Sequence, residues 1–265
     1  MKIGFIGSGN MATALAKGFI ASGAVHEENI TISDKFEASL KKWEGREVVT
    51  TCDNKMVFDR SDIVIFAVKP NVLPEVLKEV KKLAKGKILV SIAAGVTLEK
   101  MEGVLGKDVK IIRAMPNTPA QVGAGMTVLS PNKNISSEEA NIISNLFEGA
   151  GSALILEEKY INAATALHGS SPAYVYMLID AMADCGVKYG IPKNISLQLA
   201  AKAVEGSAKM VLETKKHPSE LKDAVCSPGG TTIAAVLKLE KNGFASAVAE
   251  AIDACVTKAE EMSEK

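Results

Sequence analysis

The chain has 265 residues, 47% of them hydrophobic, and its 31 Lys and Arg balance 31 Asp and Glu. That length fits two domains better than one, and that apolar content excludes a disordered chain. The charge balance argues against a broad electrostatic grip on nucleic acid or an acidic membrane, but not against a small anion site.

From the N-terminus, β-rich runs alternate with helical ones. KIGFIG reads as a strand and NMATALAKGFIASG as a helix closed by Gly23. NITIS is a second strand, and Lys35 to Trp43 a second helix. SDIVIFAVKP is a buried strand ended by Pro70, followed by a helix from Val72 to Leu83. KILVSIAAG and VKIIRAMPNTP are further strands. MTVLSP, a helix opened by the capping box of Ser136 and Glu139, and SALILEE complete the layer. This alternation predicts a parallel sheet with helical crossovers.

After about residue 158 the strand-like alternation stops and alanine-rich helical runs take over. The expected organisation is an α/β domain over residues 1–158 and an all-helical domain over 159–265. The run from Ala173 to Val187 is apolar on most faces, with Asp180 and Asp184 as its only charges, so burial in a dimer is expected.

Cys52, Cys185, Cys226 and Cys255 form no CxxC or Cys/His spacing, so neither a metal site nor a disulfide framework is expected. The start MKIGFIG lacks a basic segment and cleavage site, and no run reaches the ~18 apolar residues of a membrane span. The expectation is a soluble cytoplasmic protein.

Gly7-Ser8-Gly9-Asn10-Met11-Ala12 fits GxGxxG/A between a strand and a helix, the context that a dinucleotide site requires. Gly7 permits the tight turn, Gly9 lets a pyrophosphate approach, and Ala12 lets the helix pack closely. This is the Rossmann pattern, and the helix N-terminus offers N–H groups and partial positive charge to an anion. Asp34 follows the second strand, where an acid bonds an adenosine ribose; a 2′-phosphate there would meet a carboxylate. The cofactor is therefore NADPH or NADH, with a lean to NADH. Asp34 also reads, with Glu37, as a D-x-x-E helix cap, and Lys35 beside it could meet a phosphate. Ala67-Val68-Lys69-Pro70, Ala93-Ala94-Gly95 and the MPNTP loop fall at strand ends, the ligand edge of such a sheet. Asn117 offers a donor and an acceptor to a carboxamide.

Proton-handling residues are scarce. His26 and His217 read as solvent or capping residues, and His168 precedes a chain break. A cyclic imine suits such a site, because its nitrogen is basic and, once that nitrogen is protonated, the adjoining C=N carbon accepts hydride directly. CSPGGTTIAAV, Cys226 to Val236, is a second glycine-rich helix entry. Amides after Gly229 and Gly230, with the hydroxyls of Ser227, Thr231 and Thr232, could hold one carboxylate.

LKDAVCSPGGTTIAAVLKLE, residues 221–240, resembles the signature of pyrroline-5-carboxylate reductases. The resemblance extends through GFIGSGNMATALAKG, AVKP, SIAAGVT, MPNTP, SPAY, ADCGVKYGIP and HPSELKD. It implies NAD(P)H-dependent reduction of 1-pyrroline-5-carboxylate to proline. It also implies that Ser227, Gly230, Thr231 and Thr232 form the substrate loop, with Thr232 at the imine nitrogen assisting its protonation. Ala67 to Pro70, Ala93 to Gly95 and Asn117 match cofactor loops. Interlocked dimers, often gathered into decamers, are implied as well. Family members commonly read GSGPAY where this chain has Gly169-Ser170-Ser171-Pro172-Ala173-Tyr174, so no backbone role passes to Ser171.

Two other readings fit the dinucleotide loop. A β-hydroxyacid dehydrogenase would resemble its relatives in carrying a lysine on the first long helix of the second domain; here none occurs before Lys188. A dinucleotide sensor with a protein-binding helical half would have no need of a carboxylate cradle.

Overall fold

The computed structural model describes residues 1–264. The strands are β1 (Ile3–Ile6), β2 (Ile30–Ser33), β3 (Val49–Thr51), β4 (Ile63–Phe66), β5 (Ile88–Ser91), β6 (Lys110–Met115), β7 (Gly125–Pro131) and β8 (Gly151–Ile155). The helices of the sheet region are α1 (Asn10–Ala21), α2 (Asn54–Arg60), α3 (Leu73–Val80), α4 (Leu98–Leu105) and α5 (Ser137–Glu148). They are followed by α6 (Ile161–Ala164), α7 (Ser171–Lys188), α8 (Lys193–Thr214), α9 (Pro218–Ala224), α10 (Thr231–Lys241) and α11 (Phe244–Glu264).

The strands form one sheet in the order β3-β2-β1-β4-β5-β6-β7-β8. The first six run parallel, with Ile3 opposite both Ile30 and Ile63. Residues alternate between two faces, and both faces are covered. Phe5, Ile32 and Ile65 pack with Phe19, Trp43 and Phe147 on one side. Ile6, Val64 and Phe66 pack with Phe58, Leu77 and Met101 on the other. Double burial explains the unbroken apolar strand runs.

Two local expectations are corrected. β7 pairs antiparallel with β6, because Met115 and Gly125 are joined by little more than a 3₁₀ turn at Thr118–Val122, too short for a crossover. Lys35 to Trp43 is not a helix but two 3₁₀ turns, Glu37–Ser39 and Lys41–Trp43. The Ser39 carbonyl accepts the Ser8 hydroxyl, and the Trp43 N–H turns to Leu40 O instead. β3, α2 and α4 had no counterpart among the sequence-read elements.

Two compact units are present. One comprises Met1–Ser170 and the chain from Cys255 onward; the other is Ser171–Ala254. The second unit is wholly helical, with α7 packed on α8. Lys193 bonds both Asp180 (2.7 Å) and Asp184 (2.6 Å), which raises the Lys193 pKa. Val175, Tyr176, Met177, Leu178 and Met182 of α7 are exposed. Among the described residues no helix is long and apolar enough to cross a membrane.

The capping box at α5 forms as read: Ser136 Oγ accepts from Glu139 N and Glu139 Oε2 from Ser136 N. Lys110, 2.5 Å from Glu139, holds that carboxyl below its usual pKa, with the Ser136 N–H adding to the effect. Ser136→Ala should cost about 1 kcal/mol in urea unfolding at neutral pH. Because the Glu139 pKa is depressed in the fold, its contribution is fully present above about pH 4.3 and fades as pH falls through the lower folded value. The stability gap between the parent chain and Glu139→Gln should therefore be constant from neutral pH to about 5 and close in stronger acid.

Candidate active site

The parallel strands β1, β4, β5 and β6 lie side by side and end along one edge. Their C-terminal loops carry Gly7 to Asn10, Ala67 to Pro70, Ala93 to Gly95 and Met115 to Asn117. The structure thus gathers the sequence-read cofactor segments at the edge where such sheets take ligands.

In the first loop the two glycines do different work. Gly7 has φ +102°, and a Cβ there would lie 2.6 Å from the Ala67 carbonyl oxygen. Its N–H bonds to Ser33 O (2.8 Å). Gly9 has an ordinary φ of −70°, and nothing lies within 4 Å of its virtual Cβ. Gly9 is the N-cap of α1, and no side chain caps this helix. Asn10 is exposed, Met11 packs partly against the core, and Ala12 is buried. First-turn amides therefore border open space that a side chain at position 9 would occupy.

Ser8 is buried and bonded at every polar group. Its N–H donates to Asp34 Oδ2 (2.8 Å), and its carbonyl accepts from Lys42 Nζ (2.6 Å). Its hydroxyl donates to Ser39 O (3.1 Å) and accepts from the indole N–H of Trp43 (3.3 Å). The other Asp34 oxygen, Oδ1, accepts from Phe36 N (3.0 Å). Asp34 therefore caps no helix with Glu37, and that alternative is corrected. Ser39, Lys42 and Trp43 were absent from the sequence-read site; the single Trp of the chain was their only signal.

The remaining edge is held tightly. Ala67 N donates to Ile6 O (2.8 Å), while the Lys69 side chain and Pro70 are exposed. Ala93 is buried, Ala94 half-buried, and Gly95 has φ +74°. Asn117 Nδ2 donates to His168 O (2.9 Å), and its Oδ1 accepts from Met126 N (2.8 Å). His168 lies in a π-helical segment, Thr165–Gly169. Its Nδ1 is 2.5 Å from Ala164 O and its Nε2 is 2.8 Å from Met115 O.

The second glycine loop belongs to the other compact unit. Gly229 has φ +68°, and the Gly230 N–H bonds to Ser227 O (3.0 Å). With Pro228 at the second position, this is a type II turn. Gly230 is the N-cap of α10, again with no side-chain cap. Its own amide is spent on the turn, so the amides that open α10 are those of Thr231 and Thr232. Thr232 is half-buried, whereas Ser227 and Thr231 are exposed. A Cβ at Gly230 would lie 2.4 Å from Ser227 Oγ.

A family profile described as pyrroline-5-carboxylate reductase dimerisation matches residues 158–262. One described as NADP oxidoreductase, coenzyme F420-dependent, matches residues 2–95. A pyrroline-5-carboxylate reductase of Escherichia coli (strain K12) is 48% identical over 99% of this chain and 98% of its own length. The Arabidopsis thaliana enzyme is 43% identical, covering 99% and 96%. The chain belongs to the pyrroline-5-carboxylate reductase family.

The solved reductase of Coxiella burnetii superimposes with a TM-score of 0.94 at 34% identity, covering 100% of this chain and 99% of that one. That of Plasmodium falciparum, with NADP bound, gives 0.89 at 33% identity, covering 99% and 98%. Membership makes this chain an oxidoreductase with the family's dimerisation region and sets aside the hydroxyacid-dehydrogenase and sensor readings. Prephenate dehydrogenase of Aquifex aeolicus, 15% identical with a TM-score of 0.54, shares the fold alone. Ser171, where this reductase departs from the GSGPAY pattern, opens α7 without a positive φ, so its backbone does not demand glycine.

Among the described residues no group of three or more His, Cys, Asp or Glu side chains could hold a metal ion, and the four cysteines are free.

The glycines yield opposite expectations. Gly7→Ala should lower the melting temperature, because it forces a positive φ and a backbone clash. Gly9→Ala should melt as the parent chain does yet lose at least about tenfold in cofactor affinity, measured by fluorescence titration, since its methyl would fill only the open space beside the first-turn amides.

Proposed function

We propose that this chain reduces 1-pyrroline-5-carboxylate to L-proline with NADPH or NADH, serving proline biosynthesis in the cytoplasm. The observation that carries the reading is the occurrence, in one member of this reductase family, of two helices entered from glycine with no side-chain cap. One suits a pyrophosphate, the other a carboxylate. A functional boundary at 158/159 is part of the proposal, with nucleotide binding before it and substrate binding and dimerisation after it. The dimerisation profile begins at residue 158.

The first loop fits a dinucleotide because the space beside Gly9 is open and no side chain caps the helix behind it. Gly7 to Met11 would hold the pyrophosphate, and Asp34 would accept from the adenosine ribose. A carboxylate has about four acceptor positions, and two on Asp34 are used by Ser8 and Phe36. A carboxylate at the ribose leans the preference toward NADH. Ala67 to Pro70 and Ala93 to Gly95 would flank the rest of the cofactor. Asn117, with its amide spent on His168 and Met126, would shape that wall as well. When bound, the nicotinamide supplies the hydride.

The chain's own residues have the remaining tasks. Ser227 and the amides of Thr231 and Thr232 hold the substrate carboxylate. Thr232 donates its hydroxyl hydrogen bond toward the ring nitrogen and assists its protonation. The substrate nitrogen is basic, so positioning rather than a strong acid carries the catalysis. The exposed apolar residues of α7 support a dimer, and we extend this to decamers built from dimers.

Thr232→Ala should lower kcat by on the order of 10²-fold while cofactor affinity stays within about twofold. Thr232→Ser should retain most activity. The decisive assay follows NADH and NADPH oxidation with pyrroline-5-carboxylate and measures the proline formed; no proline with either cofactor would overturn the reading. Asp34→Ser should raise the NADPH-to-NADH ratio of kcat/KM and weaken both, because Ser8 N–H loses its partner. An unchanged ratio would leave Asp34 with the loop-holding role alone.

A further inference from the structure

We infer that the last turns of α11 form a clasp on the Ala93–Gly95 loop, and that the clasp sets how tightly the reductase holds its cofactor. The inference rests on the reading of that loop as part of the cofactor wall. Residues from Cys255 onward belong to the same compact unit as the sheet, although their sequence continues the helical C-terminal region.

The contact is close and specific. A Cβ on Gly95 would lie 3.1 Å from the Met262 carbonyl oxygen and 3.3 Å from the Met262 Cβ. Gly95 also has φ +74°, a conformation that other residues rarely adopt. Loop and helix end fit because position 95 has no side chain. Lys100, in the first turn of α4 just beyond this loop, donates from Nζ to Ser263 O (2.7 Å). A cation on the last carbonyls of a helix satisfies orphan acceptors and the helix dipole together.

The clasp also stands between two cavities. One, of about 230 Å³, reaches Met115 and the buried Arg113; the other, of about 390 Å³, reaches Pro70 and Asn71. Ala94, Gly95 and Met262 line both. Met262 thus backs the loop at the point where the segments from β4, β5 and β6 converge. A loop held in one conformation loses less entropy when a ligand arrives.

The test uses the full chain, a chain lacking residues 262–265, the Lys100→Met variant, and their combination. Amide exchange at residues 93–96 should rise in all three variants. The Kd for NADH should weaken roughly tenfold on truncation and by part of that in Lys100→Met. The combination should match truncation alone, as expected for two changes in one contact. With saturating cofactor, kcat should stay within about twofold, and self-association should be unchanged. Unaltered exchange at 93–96 in the truncated chain would overturn the clasp. Faster exchange with an unaltered Kd would break the link to cofactor affinity and remove this loop from the cofactor site. Proline formation by the parent chain, measured alongside, tests the proposed activity separately.

Discussion

The structure is organised around helix-entry amides left open. An α-helix begins with N–H groups that have no partner inside it, and most proteins satisfy some of them with a side chain. This chain does so at α2, α4, α5 and α9, through Asp53, Thr97, Ser136 and His217. At α1 and α10 it places glycine instead, in extended conformation both times. Glycine at an N-cap costs only a few tenths of a kcal/mol relative to Ser or Asp, because water reaches the freed amides. An anion bound there would replace that water, so the open ends weaken the fold little and keep their hydrogen-bonding capacity.

Open amides help only if their loop holds its shape. Ser8 supplies that rigidity, tied through its amide, carbonyl and hydroxyl to Asp34, Lys42, Ser39 and Trp43. Three of these partners, Ser39, Lys42 and Trp43, come from the two 3₁₀ turns. A regular helix over Lys35 to Trp43 would have kept the Ser39 carbonyl for Trp43 N; the 3₁₀ geometry frees it for Ser8. The irregular segment and the rigid glycine loop are thus one structural arrangement. Asp34 is common to both, since it fixes the loop while standing where a ribose is expected.

What the sequence made legible follows from the range of the interactions. The parallel strands were readable because burial on both faces leaves continuous apolar runs, and α5 because its capping box lies within four residues. Gly7 and Gly9 were readable because backbone conformation and ligand space impose a fixed local spacing. The Lys35–Trp43 segment was misread because Phe36, Leu40 and Trp43 do have helical spacing. The competing bond comes from Ser8, far away in sequence. The direction of β7 depended on a connection whose length local pattern did not weigh. The docking of Met262 at Gly95 joins positions far apart in the chain, and neither residue announces the other.

The histidines bear on how protons move. His26 precedes β2, at the opposite strand end from the glycine loop, and His217 accepts the Ser219 N–H as a helix cap. His168 has both ring nitrogens directed at backbone carbonyls, so it braces the Met115 strand end against the π-helical segment. Each imidazole is either remote or structurally engaged. Such a framework suits a substrate whose own nitrogen is basic enough to be protonated on arrival. On the proposed reading, a threonine hydroxyl at the start of α10 would need only to direct a hydrogen bond, and holding the ring and its carboxylate in place would lower the rest of the barrier.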